Sequence, residues 1–334
     1  MAPKVTVAIP TYNRARYLQD SLRSILNQTL LDFEVIVSDN CSTDSTEETV
    51  RAFSDSRIRY RRNDSNLGVF PNMNRCLELA QGEYVVIVHD DDLFAPQFLE
   101  RECEMLDKHP RVGMVHCSAF EIDAQGMPLR TYKAYPSTQI LDGKKVFVRF
   151  LEGHNIYCPT VMVRRTLYRS VDPWDPRYLC ADYLMWLRLA LEADVAYIAE
   201  PLAAVRIHPE RMSSETEPLR WLNEFLEIFE QGLEWGEKAC PELLGPRKVL
   251  IGRVAQAQGR RFFVAALAAV AEGQRRTALE YVEVLKRLQT LGLPRRYALA
   301  ARMSCNRVGQ SMLSSVRQFR RLWARRDLPM QVKW

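Results

Sequence analysis

The chain alternates short apolar runs with amphipathic stretches. Val5 to Ile9 is the first apolar run, and Pro10-Thr11-Tyr12-Asn13-Arg14 breaks it. From 15 to 28, Tyr17, Leu18, Leu22, Ile25 and Leu26 recur at helical spacing and predict a helix with one apolar face. Phe33 to Ser38 predicts a second strand, closed by the polar run Asp39 to Asp44. Ser42 or Asp44 can cap the helix predicted over 45–53. Ile58 to Arg61 reads as a short third strand, and 70–80 as a helix ended by Gly82. Tyr84 to Val88 is aromatic and β-branched, a buried strand that runs straight into His89, Asp90, Asp91 and Asp92. Repeated strand–helix alternation with crossovers of helical length predicts a parallel α/β sheet.

The pattern continues less regularly. A helix is predicted over 96–108, a strand over 112–118, and loops with a hairpin over 120–145. Then come a helix near 143–152, a strand over 160–164, a helix from Asp182 to Leu191, a strand over 195–198, and the apolar run Ala203 to His208. After Pro209 the period is helical throughout, over about 215–240, 246–272 and 275–290. The expected organisation is an α/β domain over 1–210 and a helical region over 211–334.

Composition changes this picture only in places. Of the 334 residues 47% are hydrophobic and 26% charged, ordinary globular values. No apolar run approaches the ~20 residues of a membrane-spanning helix. The N-terminus passes directly into a strand pattern without a signal-peptide core. The eight cysteines are scattered, without a CxxC pair, as expected of reduced thiols in a cytoplasmic protein. The net charge of +5 is unevenly placed: from Pro294 onward there are ten Lys or Arg and one acid. The body is therefore mildly acidic and the tail strongly basic.

The candidate chemistry lies at strand ends. Parallel α/β sheets bind ligands beyond the carboxyl ends of their strands. Three such ends are polar here: Pro10 to Arg14, Asp39-Asn40, and His89 to Asp92. Tyr12 can stack on a base, Asp39 can accept from a base N–H, and Arg14 can reach phosphate or ribose. Adjacent carboxylates repel one another, and hard oxygen ligands suit Mg2+ or Mn2+ beneath a diphosphate. No GxGxxG follows the first strand and no GxxxxGK[ST] occurs, which argues against the common dinucleotide and P-loop sites.

The order Val-Ala-Ile-Pro-Thr-Tyr-Asn-Arg, Phe-Glu-Val-Ile-Val-Ser-Asp-Asn, Asn66-Leu-Gly68 with Asn72 and Asn74, Gly82-Glu-Tyr and the Asp triplet resembles family 2 glycosyltransferases of the GT-A fold. The likeness runs over about 4–210. It implies a mostly parallel twisted sheet flanked by helices, a nucleotide-sugar donor, Mn2+ or Mg2+, and transfer with inversion. It implies that Pro10, Thr11, Tyr12, Arg14, Asp39, Asn66, Asp90 and Asp91 hold the donor nucleotide, with Asp39 against uracil. It implies a metal on Asp91 and Asp92, with His208 from Arg206-Ile-His208 closing the shell. His89 stands where many members carry a carboxylate, so which of the three Asp residues touch the cation stays open. Cys180-Ala181-Asp182 matches the family's Glu-Asp motif, with Ala181 in place of Glu, and implies Asp182 as catalytic base. Inverting transfer needs such a group, because the acceptor hydroxyl must lose its proton as it attacks.

The expected activity is a non-processive transferase moving a sugar from a UDP-sugar to a saccharide or lipid-linked saccharide in surface glycan synthesis. A dTDP-sugar donor stays open, since thymine shows the same base edge. A related-fold pyrophosphorylase would need a Gly-rich basic loop after the first strand, and a silent scaffold would have lost the acidic residues. Gln258-Gly-Arg-Arg261-Phe262 is a superficial match to the processive QxxRW signature and is discounted. The basic tail over 295–334 reads as an amphipathic segment on an anionic membrane. Its alternative is packing on the acidic body or at a homodimer contact. No recognisable nucleic-acid module joins its arginines.

Overall fold

The computed structural model describes residues 2–153, 156–208 and 218–305. These fall into two compact units, one comprising residues up to 146 together with 156–208, the other 147–153 together with 218–305.

The first unit carries a ten-stranded mixed sheet. In chain order its elements begin with β1 (Val5–Thr11), α1 (Ala15–Leu26), β2 (Phe33–Asp39), α2 (Thr46–Arg51), β3 (Ile58–Arg62), α3 (Val69–Leu79) and β4 (Tyr84–Ile87). There follow β5 (Leu93–Phe94), α4 (Phe98–Lys108), β6 (Val112–Ile122), β7 (Pro128–Tyr132), β8 (Gln139–Leu141) and α5 (Gly143–Leu151), whose residues from 147 onward belong to the second unit. The last are β9 (Val161–Arg164), α6 (Arg165–Ser170), α7 (Ala181–Glu192) and β10 (Asp194–Arg206). The strand order is β3-β2-β1-β4-β9-β6-β10-β5, with β7 on β6 and β8 on β10.

The alternating first half folds as its pattern predicts. β1, β2, β3 and β4 pair in parallel. β1 and β2 are nearly continuous apolar runs because helices cover both faces. Gly82 is required by close approach: a Cβ there would lie 2.4 Å from the Thr6 amide nitrogen. Beyond β4 the sheet is mixed, not uniformly parallel. β9 enters antiparallel between β4 and β6, and β5, β7 and β8 are also antiparallel. An apolar run of strand length carries no direction, so this was not legible in the pattern. β6 and β10 are longer than predicted, because register shifts near Ile198 and Pro201 carry β10 through a polar interruption.

The second unit is helical: α8 (Pro218–Ala239), α9 (Pro241–Leu244), α10 (Arg247–Ala271), α11 (Arg275–Gln289) and α12 (Arg296–Ser304). Leu222, Ala255, Phe262, Ala266, Val282, Leu285 and Leu288 form its core. Gln258 and Arg261 belong to this packing. The Gln258 amide donates to the Glu152 carbonyl at 2.8 Å, and the Arg261 guanidinium lies 4.0 Å from the Trp221 ring centre. No described helix is long and apolar enough to cross a membrane. Residues 306–334 of the basic tail lie outside the described residues.

Candidate active site

The strand ends converge as residues, not only as elements. Thr11 of β1 is in register with Asp39 of β2, and Asp39 with Arg62 of β3. Three neighbouring parallel strands thus finish in one row. The loop after β1 is tied to the loop after β2: the Asn40 amide donates to the Thr11 carbonyl, and the Asn13 amide to the Ser42 hydroxyl, both at 2.9 Å. Asn13 and Cys41 hold positive φ angles of 53° and 67°, which turn both loops over the sheet edge. Tyr12 projects from this loop with 43% of its surface exposed.

Asn66 sits in the loop after β3. Its side-chain carbonyl accepts from Asn40 at 2.7 Å and from the Gly68 amide at 2.9 Å. Asn63 and Asn72 extend this network, and Asn72 exchanges hydrogen bonds with Ser38. Asn66 therefore shapes the loop. Asp39 has no exposed surface. Its Oδ1 accepts from the Ser42 amide at 2.8 Å, and its Oδ2 from the Tyr60 hydroxyl at 2.5 Å and from Arg62 Nη1 at 3.0 Å.

The acidic turn after β4 is held from two sides. Ser21 of α1 donates to the His89 carbonyl at 3.2 Å. From β10, the Arg206 backbone N–H donates to Asp92 Oδ1 at 2.7 Å. The Arg206 guanidinium donates to the carbonyls of Asp91, Asp123 and Ala124. Arg206 is thus a buried clamp on the turn. His208 Nε2 lies 2.8 Å from Asp91 Oδ2, and its ring packs 5.3 Å from Tyr17. Asp90 is nearly buried, and its carboxyl is pushed up to about 7 by burial and then by the neighbouring charge of Asp91, with Arg14 opposing.

His89, Asp91 and Asp92 each offer a ligand atom, and these atoms lie within 4.8 Å of one another. One imidazole and two carboxylates suit Mn2+ or a similar divalent ion. In the sequence His89 stands only as a replacement for a carboxylate. The structure makes it a candidate donor, and His208 a neighbour bonded to Asp91.

Asp182 lies in the first turn of α7, where Ala181 is the first helical residue. Its Oδ1 accepts from the Tyr183 amide at 2.8 Å. Burial first, then the charges of Asp182 and Asp92, push the thiol of Cys158, just before β9, well up. Trp186, one turn along α7, has no exposed surface and is core. Pro10 pairs with Ser38 within the sheet, beside Thr11.

The family model for glycosyl transferase family 2 matches residues 6–171. A teichuronic acid biosynthesis glycosyltransferase of Bacillus subtilis, itself assigned putatively, is 30% identical over 216 residues, which are 64% of this chain and 82% of that one. The chain belongs to glycosyltransferase family 2. An Escherichia coli β-1,3-glucosyltransferase, whose name gives UDP-Glc as donor and a GlcNAc-diphosphoundecaprenol acceptor, is 27% identical over 195 residues. That match covers 58% of this chain and 72% of the relative. Among solved structures, S. aureus TarS 1–349 in complex with UDP-GlcNAc superposes with a TM-score of 0.64 at 19% identity, over 94% of this chain and 92% of that one. This likeness places the fold among GT-A glycosyltransferases. The chain is accordingly a glycosyltransferase.

Proposed function

We propose that this family 2 enzyme transfers a sugar, with inversion, from a UDP-sugar to a saccharide or lipid-linked saccharide acceptor, with a divalent cation at the acidic turn. The observation that carries the reading is the single edge formed by the ends of β1, β2, β3 and β4. It lines up an exposed aromatic, a row of polar strand ends and a compact cation donor set. Tyr12 stacks on the base, with Pro10 and Thr11 beneath it. Asp39 acts at the base end together with Arg62, and Asn66 sets the loop that closes it. Arg14 and Asp90 face the ribose and diphosphate. Asp91 and Asp92, with His89 and His208, hold Mn2+ or Mg2+, which would neutralise the leaving diphosphate. The UDP in the names of the E. coli relative and of the TarS complex supports the choice of nucleotide.

Asp182 is the base. Its place in the first turn of α7, where the Tyr183 N–H donates to its Oδ1, supports the role by holding the carboxylate in position. It takes the proton of the acceptor hydroxyl as that oxygen attacks the anomeric carbon, and the C–O bond to the diphosphate breaks on the opposite face. The basic segment over 295–334, of which α12 is described, brings the enzyme to an anionic membrane surface where a lipid-linked acceptor resides. Asp182→Asn tests the assignment. Mn2+-dependent UDP binding is expected to stay within about two-fold, while transfer to a glycolipid extract falls by roughly 1,000-fold or more. Full transfer by this variant would remove Asp182 from the chemistry.

A further inference from the structure

Asn74 of α3 bonds to the chain 100 positions further along. Its side-chain N–H donates to the Trp174 carbonyl, and its side-chain carbonyl accepts from the Trp174 amide, both at 2.9 Å. A primary amide offers a donor and an acceptor side by side, so it pairs with one residue's backbone as a neighbouring strand would. Trp174 lies in the segment 171–180, which joins α6 to α7. Its ring is buried. It stacks on Phe70 of α3, with centroids 6.0 Å apart, and meets Trp186 of α7 edge-on at 5.5 Å. Neither indole N–H has an acceptor, so packing fixes both rings. From the side of α7, the Arg188 guanidinium donates to the carbonyls of Asp172 and Pro173 at 3.1 and 3.0 Å. Two helices thus grip three consecutive residues, 172–174.

The two helices carry different parts of the site. Gly68 directly precedes α3, and its carbonyl accepts from the Asn40 side chain, so α3 starts from the loop that Asn66 shapes. Asp182 lies in the first turn of α7, and Trp186 follows one turn later on the same side of that helix. The strap at Trp174 therefore sets the helix that bears Asp182 against the helix that starts at the donor loop. A base must stand within hydrogen-bond reach of the oxygen it deprotonates, and a displacement of about 1 Å can cost on the order of 100-fold in rate.

We propose that Asn74 is a positioning residue for the transfer step: by holding the Trp174 backbone it fixes α7, and with it Asp182, relative to the bound donor. Arg188 acts on the same strap from the other end. The inference rests on the reading of Asp182 as the base. It assigns Asn74 no contact with the donor or the cation.

The test is steady-state transfer by the full chain, from the UDP-sugar that wild type uses to a glycolipid extract, with calorimetry of UDP in the presence of Mn2+. Asn74→Ala is expected to lower kcat by roughly 10–100-fold. Its donor KM and its UDP affinity should stay within about two-fold of wild type, since no ground-state contact is removed. Placed on Asp182→Asn, the same change should cost no more than about two-fold further, because its effect passes through a group already lost. A purely structural role would instead give equal losses on both backgrounds. Unliganded melting temperature and UDP binding report whether Asn74→Ala folds. Arg188→Met loosens the strap while leaving the Asn74 bonds in place, and is expected to show the same fall in kcat at constant KM; it carries the test if Asn74→Ala does not fold. Unchanged kcat in the folded variant, a UDP affinity that falls as far as kcat, or equal losses on both backgrounds would overturn the proposal and leave Asp182 as the base. Full transfer by Asp182→Asn alone would overturn the base assignment and the proposal with it.

Discussion

The backbone N–H of Arg206 donates to Oδ1 of Asp92 at 2.7 Å, joining the last turn of the sheet's longest strand to the acidic turn after β4. The same residue's guanidinium holds the Asp91 carbonyl at 2.8 Å. Two adjacent acids are thereby fixed by one residue more than a hundred positions away in sequence. The orientation of the candidate cation site is a property of β10 as much as of the Asp triplet.

Arg206→Met keeps the backbone donor and removes the guanidinium. The carbonyls of Asp91, Asp123 and Ala124 then lose a charged donor in a buried place. A loss of about 1–3 kcal/mol of stability is expected, read from the urea midpoint. Mn2+-dependent nucleotide binding should weaken in parallel, since the turn loses its clamp.

His208 supports the cation site through Asp91. Whether it ligates the cation or orients Asp91 through their 2.8 Å contact, its removal is expected to weaken Mn2+ binding by roughly 10–100-fold. Asp91→Ala should abolish Mn2+-dependent nucleotide binding altogether. Calorimetric titration of Mn2+ in the presence of UDP checks both, and equal affinity in His208→Ala would detach His208 from the site.

Glu102 on α4 has no exposed surface, and the polar group acting on it is the Cys117 thiol. Burial pushes its carboxyl well above the ordinary value of 4.5. The folded state thus holds a proton that the unfolded chain releases. The contribution of this group to stability is complete below pH ~4.5 and declines as pH rises above it. Glu102→Gln, which carries no such proton, is expected to flatten the loss of stability between about pH 5 and pH 8. Urea unfolding at several pH values measures the slope; an unchanged slope would mean that Glu102 is ionised in the folded protein.

Gly82→Ala is expected to destabilise the first unit by on the order of 3 kcal/mol. The added methyl would meet the backbone of Val5, Thr6 and Tyr84 within 2.8 Å, and backbone cannot step aside as a side chain can. Thermal unfolding followed by circular dichroism measures it.

The first half of the fold was legible because its strands are buried on both faces and its helices on one. Each element from β1 to β4 announces itself by period, and the glycine before β4 by its place. The antiparallel entry of β9 was not legible, because pairing direction depends on chain reversal through α5 and the loop before it. Of the site, the acidic turn, Tyr12 and Asp182 stand out as polar residues at the ends of apolar runs. Tyr60 and Arg62 do not, since alternating polar and aromatic residues are ordinary on an edge strand. Only the register that sets Arg62 beside Asp39 gives them meaning.

The measurement that bears most directly on the donor site is a thermal-shift screen of nucleotide sugars with and without Mn2+, on wild type and on Asp91→Ala. Binding confined to the folded state raises stability by about 2.7 kcal/mol at a ligand concentration of one hundred times Kd. The account predicts that a UDP-sugar raises the melting temperature only when Mn2+ is present, and that Asp91→Ala removes the shift. A shift of equal size without the cation, or one retained in Asp91→Ala, would contradict it.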